Sequence, residues 1–246
     1  MSDPFLPAGR SVDFGRGFNW ISDAFGLFSR AALGWIAFAI ILFVILLSFS
    51  MVPLIGQFLF NLISPIIVAG ALVAARNLER AEAMKPEDFM AGFSGKPVPL
   101  LILGALYMAG SLIITLVFVA IVAITVGTAL LSAFLDPPRL LEFITLGTVI
   151  SLLLAALIAL ALYVPLLMAY WFAVPLVHFH DMAPIDAMKT SFMGCLKNML
   201  PFLLYGIVSL VLLILAVIPL GLGLLVMVPV LVITVYTSYQ DAYLDR

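Results

Sequence analysis

Residues 31–75 read AALGWIAFAIILFVILLSFSMVPLIGQFLFNLISPIIVAGALVAA and contain no Asp, Glu, Lys or Arg. One helical crossing of a bilayer needs about 20 apolar residues, so this stretch is long enough for roughly two crossings. Met51-Val52-Pro53 near its middle suits a tight turn, because proline cannot continue a helix. The stretch therefore predicts two membrane-crossing helices, near 31–50 and 54–75.

Three more stretches lack charged side chains when the two histidines are counted as neutral: 97–135, 143–180 and 198–240. The last of them contains Pro219-Leu220-Gly221-Leu222-Gly223, and proline and glycine at this density favour a turn. Residues 198–240 therefore predict a second pair of crossings, near 199–218 and 222–240.

The two middle stretches have no comparable break. Each predicts one long helix, tilted or kinked, near 98–132 and 145–178, and Pro165 and Pro175 are expected to bend the second of them. Between these helices, Asp136-Pro137-Pro138-Arg139 is a predicted polar turn. The chain is therefore predicted to be a single all-α domain over residues 1–246, an integral membrane bundle of six helices.

The composition supports a membrane protein. Of the 246 residues, 65% are hydrophobic and 10% are charged, and the mean hydropathy is +1.28. Soluble domains have about 45–50% apolar and about 25% charged residues. The net charge of −2 gives no indication of a nucleic-acid partner. Because the chain is so hydrophobic, membrane lipids are the expected partners. Cys195 is the one cysteine, which excludes an intrachain disulfide, and no cofactor is predicted.

Lys and Arg fall almost entirely on one side of the predicted topology. Only Arg139 of the eleven lies on the other side. The remainder are Arg10, Arg16, Arg30, Arg76, Arg80, Lys85, Lys96, Lys189, Lys197 and Arg246. Because basic connections are retained in the cytoplasm, both termini are predicted to be cytoplasmic. The first thirty residues contain Asp and Arg without an uninterrupted apolar core, so no cleavable signal peptide is expected.

Three segments on this basic side have the pattern of short amphipathic helices, each leading into a pair of crossings. The first has apolar residues at helical spacing: Phe14, Phe18, Ile21, Phe25 and Phe28. The second begins at Pro86, followed by Glu87, Asp88, Phe89 and Phe93. The third begins at Pro184 and Asp186, followed by Met188, Phe192, Cys195 and Met199. We expect all three helices at the cytoplasmic interface of the membrane.

These segments also align with one another. Asp23-Ala-Phe-Gly-Leu-Phe28-Ser29 matches Asp88-Phe-Met-Ala-Gly-Phe93-Ser94, and Asp186-Ala-Met-Lys-Thr-Ser191-Phe192 starts in the same way with the last two residue types exchanged. One interpretation is a threefold internal repeat with units 11–76, 84–178 and 184–240. The alternative is that any interfacial helix places an acid early and aromatic residues on its lipid face.

The pattern Asp186-Ala-x-x-x-Ser191-Phe192 before a hydrophobic hairpin, with an aromatic-rich helix opening the chain, resembles a family of uncharacterised proteobacterial six-helix inner-membrane proteins. It is similar, more distantly, to the membrane domain that accompanies some bacterial glycerophosphodiester phosphodiesterases. The resemblance implies a location in the bacterial inner membrane and covers nearly the whole chain. No established activity comes with the first family, and the phosphodiesterase's catalytic domain has no counterpart in this sequence.

His178, His180 and Asp181 form the one cluster of ligand-type side chains. Two histidines at i and i+2 on an extended segment would face the same way, and Cys195 or Asp186 could add a further metal ligand. The alternative, which we favour, is that polar residues mark the point where a crossing leaves the membrane. We therefore predict neither a metal site nor catalytic residues.

The predicted crossings lack ionisable side chains near their centres, whereas transport sites usually need them. Gln57, Asn61 and Ser64 share one face of the second crossing and could line a polar path. Such residues more often hydrogen-bond neighbouring helices, which is the interpretation we favour. Aromatic residues close to predicted helix ends suggest anchoring at the membrane interfaces: Trp20, Trp35, Tyr170, Trp171, Tyr236 and Tyr239.

The sequence thus predicts a non-enzymatic inner-membrane protein that organises the membrane or serves as an accessory subunit of a membrane complex. Its expected partners are lipids, other membrane subunits or further copies of itself. The alternative is a channel or facilitator for a small or amphipathic solute, built on Gln57, Asn61 and Ser64.

Overall fold

The computed structural model describes residues 4–52, 55–135 and 146–245, and within these ranges the chain is all-α. Pro53 and the predicted turn at residues 136–139 lie outside the described residues. A short 3₁₀ helix spans Pro86–Met90. The α-helices are α1 (Arg16–Arg30), α2 (Ala32–Ser50), α3 (Ile55–Glu79), α4 (Ala91–Ser94), α5 (Pro97–Leu135), α6 (Leu146–Trp171), α7 (Ala173–His180), α8 (Pro184–Lys197), α9 (Met199–Val217) and α10 (Leu224–Tyr243).

Six helical segments of the described chain are long and apolar enough to cross a bilayer. They are Ala32–Ser50, Ile55–Glu79, Pro97–Thr128, Gly147–His180, Met199–Val217 and Leu224–Tyr243. The prediction of an all-α membrane bundle with six crossings is confirmed. The last crossing continues to Tyr243 rather than ending near 240, and this extension brings Asp241 into the helix.

The chain divides into two compact units, one containing the residues up to Ala105 and from Met168 onward, the other Leu106–Leu167. In the second unit, the hydroxyl groups of Tyr107 and Tyr163 are 2.6 Å apart and form a hydrogen bond between α5 and α6. The first unit contains both termini and every site described below.

The first and last described segments of the chain lie at the same end of the first unit. Phe5 and Leu244 form an isolated antiparallel bridge, and the Leu6 amide donates to the Tyr243 carbonyl over 2.8 Å. Lys197 at the end of α8 donates to the Ala8 carbonyl over 2.7 Å. We call this end of the first unit the termini face.

Helix α1 packs its apolar side against the bundle. Trp20, Ile21 and Phe28 are buried, whereas Phe14 and Phe18 are each 54% exposed. Helices α9 and α10 are its main neighbours, and Gly17 lies so close to the Pro201 carbonyl that a Cβ would overlap it. The aromatic residues predicted to share one face are therefore divided between the protein and its surroundings. A position of α1 at the membrane interface stays a prediction.

Residues 86–94 pack on α3 through two glycines that permit close backbone contact. A Cβ on Gly70 would overlap the Phe89 carbonyl, and a Cβ on Gly92 would overlap the Ile66 carbonyl. The small residue at Gly70 therefore serves packing within the chain, as small residues do where backbones approach in membrane proteins. This packing holds Phe89 and its neighbours against the side of α3.

The long crossing 147–180 is interrupted at Phe172, three residues before Pro175. Pro175 has no N–H to donate to the Trp171 carbonyl, and its ring disfavours a regular helix there. By contrast, α6 continues through Pro165 without a break. The prediction of a proline-induced irregularity therefore agrees with the structure at Pro175, while at Pro165 the helix is uninterrupted.

The side chain of Ser191, on α8, replaces the missing backbone hydrogen bond at this interruption. Its hydroxyl accepts a hydrogen bond from the Phe172 amide at 2.8 Å and donates to the Met168 carbonyl at 2.6 Å. In a regular helix, the amide of residue 172 would bond the carbonyl of residue 168 directly. The Ser191 side chain is thus inserted into the helical hydrogen-bond ladder, which is a recognised cause of kinks. α8 is joined to the membrane-crossing segment through this contact.

Four of the six aromatic residues predicted to anchor at the membrane interfaces are buried inside the protein instead. Trp20, Trp35, Tyr236 and Tyr239 are almost completely inaccessible, and Tyr170 and Trp171 are half-buried. The prediction is wrong for these four because other helices cover them: Trp20 contacts Phe202 and Asp241, Trp35 contacts Phe89, and Tyr236 and Tyr239 contact Phe179. Three of them direct polar atoms at other side chains of this chain: Trp20, Tyr236 and Tyr239.

The Ser191 contact predicts a stability effect. Ser191→Ala removes both hydroxyl bonds at a buried backbone interruption, and we expect a loss of about 1–3 kcal/mol in the free energy of unfolding. Thermal unfolding of the purified chain in detergent measures the change. Ser29→Ala and Ser94→Ala, at exposed serines of the other two aligned segments, are controls with expected effects of about 0.5 kcal/mol or less. Equal effects for all three variants would contradict the role of Ser191.

Candidate functional site

A buried carboxylate organises the termini face. Asp241 is 5% exposed and accepts hydrogen bonds from Arg16 Nε at 2.6 Å, Arg16 Nη2 at 2.8 Å and Trp20 Nε1 at 2.7 Å. Arg10 Nε donates to the Asp241 carbonyl over 2.7 Å. The bidentate geometry is the strong form of an Arg–carboxylate pair. It joins the N-terminal segment and α1 to the last helix.

Hydrogen bonding to Asp241 raises the pKa of the Arg16 guanidinium, although partial burial opposes the rise. The guanidinium therefore stays charged. Sequence inspection missed this contact because Arg16 and Asp241 are 225 positions apart. The available sequence signal was an acid directly after a charge-free crossing, in a chain whose first thirty residues include three arginines.

Glu79 at the end of α3 forms a second polar cluster with α10. It accepts hydrogen bonds from Tyr236 Oη at 2.6 Å and from Gln240 Nε2. Arg76, one turn earlier, places its guanidinium carbon 4.5 Å from the centre of the Phe179 ring, within range of a cation–π contact. These contacts join α3, α7 and α10 where the crossings end.

The predicted histidine cluster does not face one way. His178 and His180 lie on helix α7, where two residues that are two positions apart point in different directions, whereas a shared metal site would need them on an extended segment. Asp181 ends the helix in a left-handed conformation and forms an ion pair with Lys96. His180 Nε2 is bonded to Tyr239 Oη, and its ring stacks on Phe5 with centroids 3.6 Å apart.

The other metal-ligand candidates are also separate from this cluster. Among the described residues, no group of three or more His, Cys, Asp and Glu side chains could hold a metal ion. Cys195 contacts the Met168 carbonyl at 3.4 Å next to Ser191, and Asp186 is exposed and ion-paired with Lys189. Burial raises the pKa of the Cys195 thiol to about 12. A thiol in this setting is a packing group rather than a nucleophile.

The polar face of α3 is bonded largely within itself. Gln57 Nε2 donates to Asn61 Oδ1 at 3.1 Å, Ser64 Oγ donates to the Asn61 carbonyl at 3.1 Å, and Ser64 lies 3.4 Å from Tyr170 Oη. Gln57 is exposed, whereas Asn61 and Ser64 are half-buried. These bonds satisfy polar groups that would otherwise face hydrocarbon, and the Ser64–Tyr170 contact joins α3 to α6. The choice between helix packing and a polar path stays a prediction.

An apolar groove of about 600 Å³ lies between α2, α3 and residues 84–93. Its lining is formed by aliphatic, aromatic, methionine, proline and glycine residues, of which Phe38, Ile41, Ile67 and Phe89 are representative. Phe38 and Phe89 stack with ring centroids 4.9 Å apart and form its inner wall. The volume is within the range of about 300–1,000 Å³ typical of ligand sites.

A second cavity of about 750 Å³ adjoins the groove, and its lining includes Arg30, Leu78 and Glu82. Gly34 and Met84 line both cavities. We call this second cavity the polar mouth. Its two ionisable side chains can bind charged groups, whereas the groove can hold only apolar ones. Together they form the candidate binding site of the described chain, and sequence inspection did not identify it.

Comparison with known proteins identifies a relative. The chain is 31% identical over 201 residues to a protein of Burkholderia thailandensis described as a probable inner membrane protein. The match covers 78% of this chain and 71% of the relative. No protein-family profile matches the chain. No solved structure matches it either.

Removing Asp241 is expected to lower the free energy of unfolding more than removing a member of an exposed ion pair. Asp241→Ala leaves Arg16 and Trp20 without their acceptor, and we expect a loss of about 3 kcal/mol in the free energy of unfolding. Asp186→Ala, which breaks the exposed pair with Lys189, is the control, with an expected loss below about 0.5 kcal/mol. Titration of unfolding with sodium dodecyl sulfate compares the two. A change at Asp241 no larger than at Asp186 would contradict the role assigned to the cluster.

Proposed function

The chain belongs to the same family as the probable inner membrane protein of Burkholderia thailandensis, and from this premise we propose that it is a non-enzymatic protein that organises lipid or serves as an accessory subunit of a membrane complex. Its six apolar helices and its relative agree on a multi-pass protein of the inner membrane. The role within that membrane is the proposal.

The observation that carries the proposal is that the buried carboxylates Asp241 and Asp88 are bonded to other residues of the chain. Asp241 is occupied by Arg16 and Trp20, and Asp88 accepts hydrogen bonds from Asn77 Nδ2 at 2.9 Å and from the Lys85 amide at 2.8 Å. Catalytic acids and bases must instead reach a substrate. These groups join helices to one another, which supports a structural and binding role.

The surface of the crossings supports the same proposal. On α9, large apolar side chains face outward at helical spacing, including Leu203, Ile207, Leu210 and Ile214. In a bilayer, such a surface contacts lipid or another membrane helix. The chain therefore offers extensive contact area to the membrane or to a partner.

The resemblance to the membrane domain beside glycerophosphodiester phosphodiesterases stays a prediction, and no activity is transferred from it. The threefold repeat over 11–76, 84–178 and 184–240 also stays a prediction. Of the three aligned acids, Asp88 is buried, whereas Asp23 and Asp186 are exposed.

Co-purification tests the proposed role. We expect the tagged full chain, extracted from native membranes in a mild detergent, to retain a reproducible lipid or protein partner in native mass spectrometry. The physical reason is that its accessible surface is apolar contact area rather than a reaction site. Cells that express the untagged chain provide the control. A monomer that repeatedly carries neither lipid nor protein would overturn the proposal.

Transport is the competing outcome, because exposed Gln57 and its partner Asn61 could serve a solute. The same preparation in proteoliposomes should conduct no more small solute than protein-free liposomes. Flux that disappears in the folded Gln57→Leu/Asn61→Leu variant, but persists when exposed Thr115 is changed to Val, would favour a channel or facilitator instead.

We also propose that the termini face is cytoplasmic. Basic side chains gather at this face, including Arg16, Arg30, Arg76, Lys96 and Lys197, and basic connections are retained in the cytoplasm. A C-terminal fluorescent-protein fusion should therefore fluoresce, while alkaline phosphatase at the same position should be inactive, since it needs disulfides formed outside the cytoplasm. Alkaline phosphatase inserted after Arg139, outside the described residues, should be active. The reverse pattern would reject this orientation.

A further inference from the structure

The apolar groove and the polar mouth form one amphipathic site. The groove follows α2 from Gly34 to Ile45, a distance of about 16 Å at the rise of an α-helix. Half of a bilayer's hydrocarbon core is about 15 Å thick. The groove therefore extends over roughly the depth of one lipid leaflet, starting at the end of the helix where the polar mouth lies.

The groove is accessible from the side of the bundle. Ile41 is 59% exposed while lining it, and Met90 and Phe93 are also exposed at its rim. Within the bilayer, the crossings are surrounded by lipid acyl chains, so the molecules that meet this opening are lipids. A flexible acyl chain matches a long, wholly apolar groove better than a polar solute does.

The polar mouth carries one cation and one anion. Arg30 Nη1 donates to the Leu78 carbonyl at 3.0 Å, which holds the guanidinium at the mouth. Arginine has five N–H donors, so this single bond leaves donors for a phosphate. Glu82 is exposed in the same cavity. Among the described residues, no ion pair within 4.0 Å joins Glu82 to Arg30. The mouth thus presents separate positive and negative groups.

We propose that this site binds one zwitterionic amine phospholipid, with an acyl chain in the apolar groove, the phosphate on Arg30 and the ammonium group towards Glu82. The charge pattern favours this head group over an anionic one, because an anionic lipid would leave Glu82 opposite a negative charge. The inference rests on the proposed function and makes it specific: the lipid that the chain organises is held between α2, α3 and residues 84–93.

Met84 lies where the two cavities meet. A Cβ added to Gly34 would be 2.5 Å from Met84 Sδ, so glycine makes room for the thioether at this junction. Methionine side chains adapt readily to irregular apolar surroundings. The lipid's glycerol region would pass this side chain, between its phosphate and its acyl chain.

Two adjacent isoleucines provide a matched test of the groove. Ile40 and Ile41 lie at the same depth on α2 and are 47% and 59% exposed, but only Ile41 lines the groove. Ile41→Trp should fill the groove and weaken lipid retention by about tenfold or more, whereas Ile40→Trp should leave it unchanged. Arg30→Gln should weaken lipid retention by about tenfold, because the phosphate loses its guanidinium partner. Arg80→Gln, at an exposed neighbour that does not line the mouth, should have no effect.

The measurement is native mass spectrometry of the purified full chain after exchange into mixed micelles. The micelles contain phosphatidylethanolamine or phosphatidylglycerol with identical acyl chains. We expect each protein molecule to retain one phosphatidylethanolamine and to retain phosphatidylglycerol more weakly. Thermal midpoints and gel filtration establish that each variant is folded. If Ile41→Trp does not fold, Arg30→Gln against Arg80→Gln still decides the question.

Three results would overturn the site: equal retention by Ile40→Trp and Ile41→Trp, retention insensitive to Arg30→Gln, or phosphatidylglycerol bound at least as tightly as phosphatidylethanolamine. A protein partner lost specifically in Ile41→Trp would also reject lipid as the occupant. In each of these cases the proposed function survives if lipid or protein partners still co-purify. A partnerless monomer would reject the proposed function itself.

Discussion

Hydrocarbon offers no hydrogen-bond partners, and this constraint governs the whole molecule. Every backbone N–H and C=O within the membrane must bond inside the protein, which is why the crossings are helical. Where a helix is interrupted, another group must replace the missing bond. At Phe172, Ser191 serves this purpose by bonding both the amide of Phe172 and the carbonyl of Met168. The interruption at Phe172 thereby becomes the attachment point of α8.

The same constraint confines charge to the ends of the crossings. Asp241 and Glu79 lie near the ends of α10 and α3, where they are bonded to side chains from other segments. Such contacts between distant parts of the chain determine how helices meet, because apolar side chains gain little by leaving lipid for one another. Polar pairing and close packing at glycines such as Gly17 and Gly70 therefore set the arrangement of the first unit.

Close packing of the segments outside the crossings also creates the candidate site. The carbonyl of Phe89 lies against Gly70, and the carbonyl of Ile66 lies against Gly92, which brings residues 84–93 alongside α3. Helix α2 approaches the same segment through Phe38, and the space left between them is the apolar groove. Its apolar lining beside the Arg30 and Glu82 mouth makes an amphipathic molecule the natural ligand.

The amino-acid sequence alone predicts that this chain resides in a lipid bilayer and that it crosses the bilayer six times. Long uncharged stretches have only one stable environment, and the spacing of Asp, Glu, Lys and Arg, together with the proline and glycine breaks, predicts six helices to within a few residues. Tertiary structure alone decided the partners of individual side chains. Trp20 and Tyr236 have the composition and position of interfacial anchors, yet they are buried because α1 folds back on α10. Hydropathy is a local property of the chain, whereas the pairing of Arg16 with Asp241 and the groove beside α2 depend on segments that meet only in the folded protein.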